Sequence, residues 1–221
     1  MALQTWSGNI SGTVDLVNDT HQVTGSSTIT NGTTLTFDTG SATKTSDLNT
    51  FDFTGTYSLI IEGAIVCNGS EGVYITLQNT SKHAGASNDL IFNDIETSSI
   101  TYAVISNFDT VFVNAAYTGG LTFSDNILKN NQRAIQHQSS TQLVVDRCEF
   151  KYNTDIVVVI SSGNLSLQNC YFHDNLSAGA HFLFSPAGTL VVNKCFFKNT
   201  RTLTTSASRG FFDLNVVANT V

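Results

Sequence analysis

The sequence predicts an all-β solenoid, and three observations predict it. Four segments line up on one template with starts 22, 22 and 25 residues apart, too short a period for a pair of helices and the right length for one coil of stacked strands. There is a single proline and a charged fraction of only 12%. Ser, Thr, Asn and Gly fill the gaps between short runs of Val, Ile, Phe and Leu, as many short strands joined by polar turns require. No stretch keeps a capped helical period, so very little helix is expected.

The four segments are LTFSDNILKNN from Leu121, LVVDRCEFKYN from Leu143, LSLQNCYFHDN from Leu165 and LVVNKCFFKNT from Leu190. In each, the first and third residues are apolar, then the spacing jumps to three before alternation resumes at Cys148 and Phe150, Cys170 and Phe172, Cys195 and Phe197. Two short strands meeting at a corner read this way. Stacking coils about 4.8 Å apart places Leu121, Leu143, Leu165 and Leu190 in one internal column and the Phe residues in another. Leu59, Ile61, Ala64 and Val66 fit the same offsets, as do Leu90, Phe92 and Ile95, while Leu35 and Phe37 fit the first strand alone. The expected organisation is one domain, 1–221, of roughly seven to nine coils. Residues 1–58 are expected to form an N-terminal cap and irregular first coils, and 59–221 the regular ones. Leu214, Val216 and Val217 look like the start of a further coil, where an end-to-end or oligomeric contact is expected.

The net charge is -7 and uneven: residues 1–120 hold two Lys or Arg against eleven Asp or Glu, and residues 121–221 hold eight against six. An acidic chain without a strongly basic face excludes nucleic acid as the expected partner. No apolar run approaches the ~20 residues of a membrane-spanning helix. The opening Met-Ala-Leu-Gln-Thr-Trp has no signal-peptide pattern, yet the composition is extracellular in type. The expected location is therefore extracellular or at a cell surface with the leader absent from this chain, or a phage or virion surface.

Three rows carry the candidate chemistry. Cys148, Cys170 and Cys195 share one inward position and are expected as a column of reduced thiols, with a disulfide or a metal as the alternatives. Asn131, Asn153 and Asn175 end the template where the chain turns, and Asn accepts left-handed backbone angles and stacks its amides from coil to coil. The outward row Lys129, Lys151, His173 and Lys198 is basic in every coil, and Arg147 and Lys194 at the preceding corner are expected to thicken it. Like charges about 5 Å apart need solvent, nearby acids or a bound anion. Tyr152, Tyr171 and Phe196 flank this stripe and offer faces on which sugars stack. Catalytic groups are sparse. Asp15 with Asp19 and Asp94 with Glu96 are the carboxylate pairs close in sequence, and no phosphate loop, nucleophile elbow or metal-binding His pair is present. No catalytic residue, cofactor or metal is assigned, and the balance points away from an enzyme.

The segments CEFKYN at 148–153 and CYFHDN at 170–175 resemble the Phe-x-x-Asn repeats of polymorphic outer-membrane-protein-type β-helices found in surface adhesins, with KCFFKNT and ILKNN as weaker relatives. More broadly, residues 59–221 look like the pectin-lyase-like right-handed parallel β-helix superfamily. The resemblance implies the hand of the solenoid. It also implies a non-catalytic surface module presenting a flat face to a glycan or a host or cell-surface protein. The alternative it implies is a polysaccharide-degrading enzyme or phage tailspike. Asn153-Thr154-Asp155 is similar to the first catalytic motif of pectin-degrading glycosidases, but no downstream Asp-Asp, Gly-His or Arg-x-Lys accompanies it, so Asn153 is assigned to the turn row.

Overall fold

The computed structural model describes residues 4–11, 14–17, 20–38, 50–80, 88–93, 96–113, 116–155, 157–177, 182–184, 188–198, 201–202 and 212–214. Among these there is no helix, and every ladder between strands is parallel. One coil shows the plan. Its strands Gln142–Asp146, Glu149–Lys151 and Val158–Ile160 pair with Gly163–Gln168, Tyr171–His173 and Phe182–Phe184 of the next coil. The first strand of each coil belongs to an eight-stranded sheet, and the other two belong to the two arms of a sixteen-stranded sheet. The arms join at the ten-residue strand Thr20–Ile29, whose first half pairs with Thr50–Phe53 and whose second half pairs with Leu59–Ile61. Parallel pairing already begins at Gln4–Ile10 and Val14–Val17, so ladders run well into residues 1–58.

The internal columns follow the template. Leu143, Leu165 and Leu190 are register partners, as are Leu128, Phe150, Phe172 and Phe197. Coil stacking sets the aromatic geometry: the Phe150 and Phe172 rings stack at 4.4 Å and 9°, and Phe172 and Phe197 at 4.9 Å and 17°. Aromatic pairs with free choice avoid a face-to-face sandwich. Here the backbone ladder holds equivalent rings one above another.

The upstream copies of the template need correcting. Leu59 and Ile61 pair with Leu90 and Phe92 in the third strand of the coil, not in the first. The true first-strand equivalents are Leu35 and Phe37, then Ile65 and Cys67, then Ser98 and Ile100. Val66 consequently faces outward, half-buried. Apolar alternation is common to all three strands of a coil, so it marks a strand without saying which one. Ser98, fully buried in the leucine column and donating nothing apolar to it, hides the register further; its hydroxyl accepts the Ile65 amide at 3.1 Å. Ile95, Val216 and Val217 lie outside the described residues.

The buried polar rows hold the coils together. Asn153 donates its side-chain amide to Leu128 O at 3.1 Å and to Asn175 Oδ1 at 2.9 Å, and its Oδ1 accepts the Asn131 backbone amide at 3.0 Å. Asn131 and Asn175 repeat this one coil either side. The left-handed backbone expected of these asparagines belongs instead to the residue before each: Asn130, Tyr152 and Asp174 have φ of 56°, 57° and 53°. The asparagine itself is turned inward, because its amide replaces backbone partners that the corner interrupts.

The thiol row does related work. Asn126, one coil before Cys148, donates to Ile100 O and accepts from the Ala103 amide. Cys148, Cys170 and Cys195 aim their sulfurs at the equivalent carbonyls of Phe123, Val145 and Leu167. All are free thiols. Burial raises the Cys148 thiol above its ordinary range and pushes Cys170 up to about 12, which keeps both protonated and unreactive.

Candidate functional site

The outer face of the arm that carries Ile127–Lys129, Glu149–Lys151, Tyr171–His173 and Phe196–Lys198 gathers most of the sequence-predicted residues. Lys129, Lys151, His173 and Lys198 are register partners in successive coils, so the basic column exists as expected. Beside it runs a second outward column, Ile127, Glu149, Tyr171 and Phe196. Strand alternation turns residues two apart to the same side. Glu149 and Lys151, Tyr171 and His173, and Phe196 and Lys198 therefore lie side by side.

That adjacency neutralises the middle of the basic column. Glu149 accepts Lys151 Nζ at 2.8 Å on one oxygen and meets His173 Nε2 at 2.7 Å with the other, while His173 Nδ1 lies 2.8 Å from Asp174. Burial opposes ionisation of Glu149, but the hydrogen bonds from Lys151 and His173 prevail and hold its carboxyl below the usual range. The stripe is thus a mixed-charge strip rather than a run of free cations. At the corner, Arg147 does not thicken the stripe either. It grips both oxygens of Asp125 at 2.7 Å and also meets Asp146, and that bidentate contact holds the Asp125 carboxyl below the usual carboxylate range. Lys194 occupies the equivalent corner two coils on and is exposed.

The aromatics form one cluster around His173. Tyr171 stacks on its ring at 4.4 Å, Tyr152 meets it edge-on at 6.2 Å, and Phe196 lies 5.5 Å from Tyr171. Phe196 is 62% and Tyr152 51% exposed. These are large apolar surfaces on a rigid ladder, held toward solvent by backbone register.

Two features escaped the sequence reading. The first is a groove of about 230 Å³ lined by Glu71, Tyr74, Tyr102, Asp125, Arg147 and Glu149, among others. A tight turn closed by reciprocal Ser70 and Val73 amide bonds presents Glu71 at its tip. It approaches Tyr102 so closely that a Cβ on Gly69 would lie 2.3 Å from Tyr102 O, so only glycine fits there. The second is a carboxylate cluster on the other arm, where Asp89, Thr110 and Arg133 are register partners. Asp109 accepts the Asn88 amide at 3.2 Å, and Arg133 donates to Asp155 at 3.3 Å. Burial raises the Asp89 and Asp109 carboxyls above their ordinary range, and the charge of Asp109 raises Asp89 further. Of the acids singled out from sequence spacing, Glu96 accepts the Gly32 amide at 2.6 Å in a structural contact. Asp19 and Asp94 lie outside the described residues.

A family described as right handed beta helix region matches residues 49–221. No curated protein and no solved structure matches the chain.

Proposed function

The chain belongs to the right-handed β-helix family, and from that premise we propose that it is a non-catalytic surface module that binds a glycan through the aromatic strip of Tyr152, Tyr171 and Phe196. Its expected setting is extracellular, at a cell or virion surface. The observation that supports this most is the pair of exposed rings, Tyr152 and Phe196, held beside the hydrogen-bonded Lys151–Glu149–His173 chain. Sugar rings offer apolar C–H faces rimmed with hydroxyls. An aromatic platform flanked by carboxylate, ammonium and imidazole meets both halves of that surface. Lys129 and Lys198 stand at the two ends of the strip. Carbohydrate-array binding of the Tyr152→Ala/Phe196→Ala double variant tests the reading. Loss of roughly tenfold in affinity with an unchanged circular dichroism spectrum is expected, since each ring contributes about 0.5–1.5 kcal/mol. Undiminished binding would remove this face from the proposal.

A second reading, action on a polysaccharide, is favoured by Asp89 and Asp109. Two carboxyls that burial makes harder to ionise, one of them further disfavoured by the charge of the other, are the starting material of general acid and base catalysis. Incubation with neutral and uronate-containing polysaccharides, followed by measurement of new reducing ends, decides it. Turnover abolished by Asp89→Asn would replace the binding-module reading with this one.

A further inference from the structure

We propose that the groove between Glu71 and Glu149 receives a positively charged amino group, so that the glycan bound at this face carries unacetylated amino sugars; the inference rests on the carbohydrate reading above. Three carboxylates and one guanidinium line the groove. The guanidinium is already committed, since Arg147 is held by both oxygens of Asp125 and by Asp146. Glu149 shares its charge with Lys151. Glu71 makes no hydrogen bond or ion pair among the described residues, and it stands exposed on its turn. Its carboxylate is the group with charge to spare.

The aromatic wall points the same way. Tyr74 and Tyr102 meet edge to face with centroids 6.0 Å apart at 62°, and an aromatic face carries the negative lobe of the ring quadrupole that attracts ammonium groups. The phenol of Tyr74 is harder to ionise than an ordinary tyrosine, first through burial and then through the negative charge of Glu149, with Asp125 and Glu71 adding to it. With three carboxylates against one guanidinium, the lining of the groove carries net negative charge. An ammonium lowers its energy there, a uronate raises it, and a neutral sugar gains nothing from the field. The volume of about 230 Å³ suits one substituted ring rather than a chain of them. The groove lies at the corner next to Glu149, in the same outward column as Tyr171 and Phe196, so a chain lying along the strip can place one residue in it.

Titration calorimetry of the full chain with four probes tests this: a glucosamine trisaccharide, its fully N-acetylated counterpart, maltotriose, and spermidine as a sugar-free ammonium source. The expected result is a preference of at least about tenfold for the glucosamine trisaccharide over the acetylated and neutral ones. That preference weakens as salt is raised and falls about fivefold in Glu71→Gln or Tyr74→Ala. Glu71→Gln changes an exposed turn tip and leaves the fold intact, so it separates a local effect from unfolding. Equal affinity for the acetylated and free trisaccharides overturns the cation assignment and leaves the carbohydrate reading standing. Spermidine binding as tightly as the glucosamine trisaccharide, with sensitivity to Glu71→Gln, supports the cation site and removes the sugar as its occupant. Maltotriose bound while glucosamine trisaccharide and spermidine are not overturns the inference alone.

Discussion

The side-chain amide of Asn153 lies 2.9 Å from Oδ1 of Asn175 in the next coil, and both residues are fully buried. A polar atom can occupy a dry interior when each donor and acceptor has a partner. Along this row each side-chain NH2 reaches a carbonyl of the preceding coil, and each Oδ1 accepts the backbone amide one coil back, from Phe108, Asn131 and Asn153 in turn.

Asn153→Ala should therefore cost about 2–4 kcal/mol, because it strands the Asn131 amide and the Leu128 carbonyl without partners. Urea unfolding measures it. Asn164→Ala, at an exposed position of the neighbouring strand, should change stability by less than about 0.5 kcal/mol. Equal losses in the two variants would mean that the amide row does not bind the coils.

Gly163→Ala should destabilise by more than about 2 kcal/mol. Gly163 has φ of +74°, and a Cβ there would lie 1.7 Å from the Ser139 carbonyl oxygen. Gly72 also has a positive φ, +77°, but faces open space. Gly72→Ala should then lose only about 1 kcal/mol, the cost of a left-handed backbone alone. Comparing thermal midpoints of the two variants separates backbone strain from collision.

Acidification should weaken the fold through His137. This side chain is buried, its Nε2 bonded to the Thr141 carbonyl at 3.1 Å and its Nδ1 without a hydrogen-bond partner. Burial, opposed in part by that bond, lowers its affinity for a proton. The unfolded chain, with an ordinary imidazole near ~6.5, takes up a proton first. Stability is full above that value and declines as the pH falls through it toward the lower folded-state value. Denaturant midpoints between pH 7.5 and 5 should fall in the native chain and fall less in His137→Gln. Parallel slopes in both proteins would assign the acid sensitivity elsewhere.

Arg147→Ala should change stability by less than about 1 kcal/mol, because exposed ion pairs contribute little. Its visible effect should appear on the groove. Freeing Asp125 adds an uncommitted carboxylate beside Tyr102, and binding of a cationic probe should strengthen in calorimetry. Weaker binding after this change would identify Arg147 as a ligand contact in its own right.

The repeat made the last four coils legible because Leu, Cys, Phe and Asn recur there at fixed offsets, and those offsets became the internal columns. Upstream, Ser98 stands in the leucine column and Cys67 and Ile100 precede Phe123 and Val145, so several chemistries satisfy the same inward position and the register could not be read. The basic column was legible for the same reason as the core. Its neutralisation was not, since Glu149 occupies a position filled by Tyr171 and Phe196 in the next coils, and its significance appears only when Lys151 and His173 stand beside it. Tyr74, Tyr102 and Glu71 come from coils where the template is faint. Their convergence with Arg147 depends on stacking, which sequence distance does not record.

Among the described residues nine non-glycine positions take left-handed backbone angles, and Tyr102, Asp125, Arg147, Asn169 and Lys194 fill a single corner in consecutive windings. An aromatic, an acid, an amide and two bases all satisfy that bend, because the backbone amides of Tyr102, Asp125, Arg147 and Asn169 each reach a carbonyl of the winding that follows. The ridge is thus a rewritable edge. Its surface chemistry can be exchanged residue by residue while the interior rows keep the chain wound.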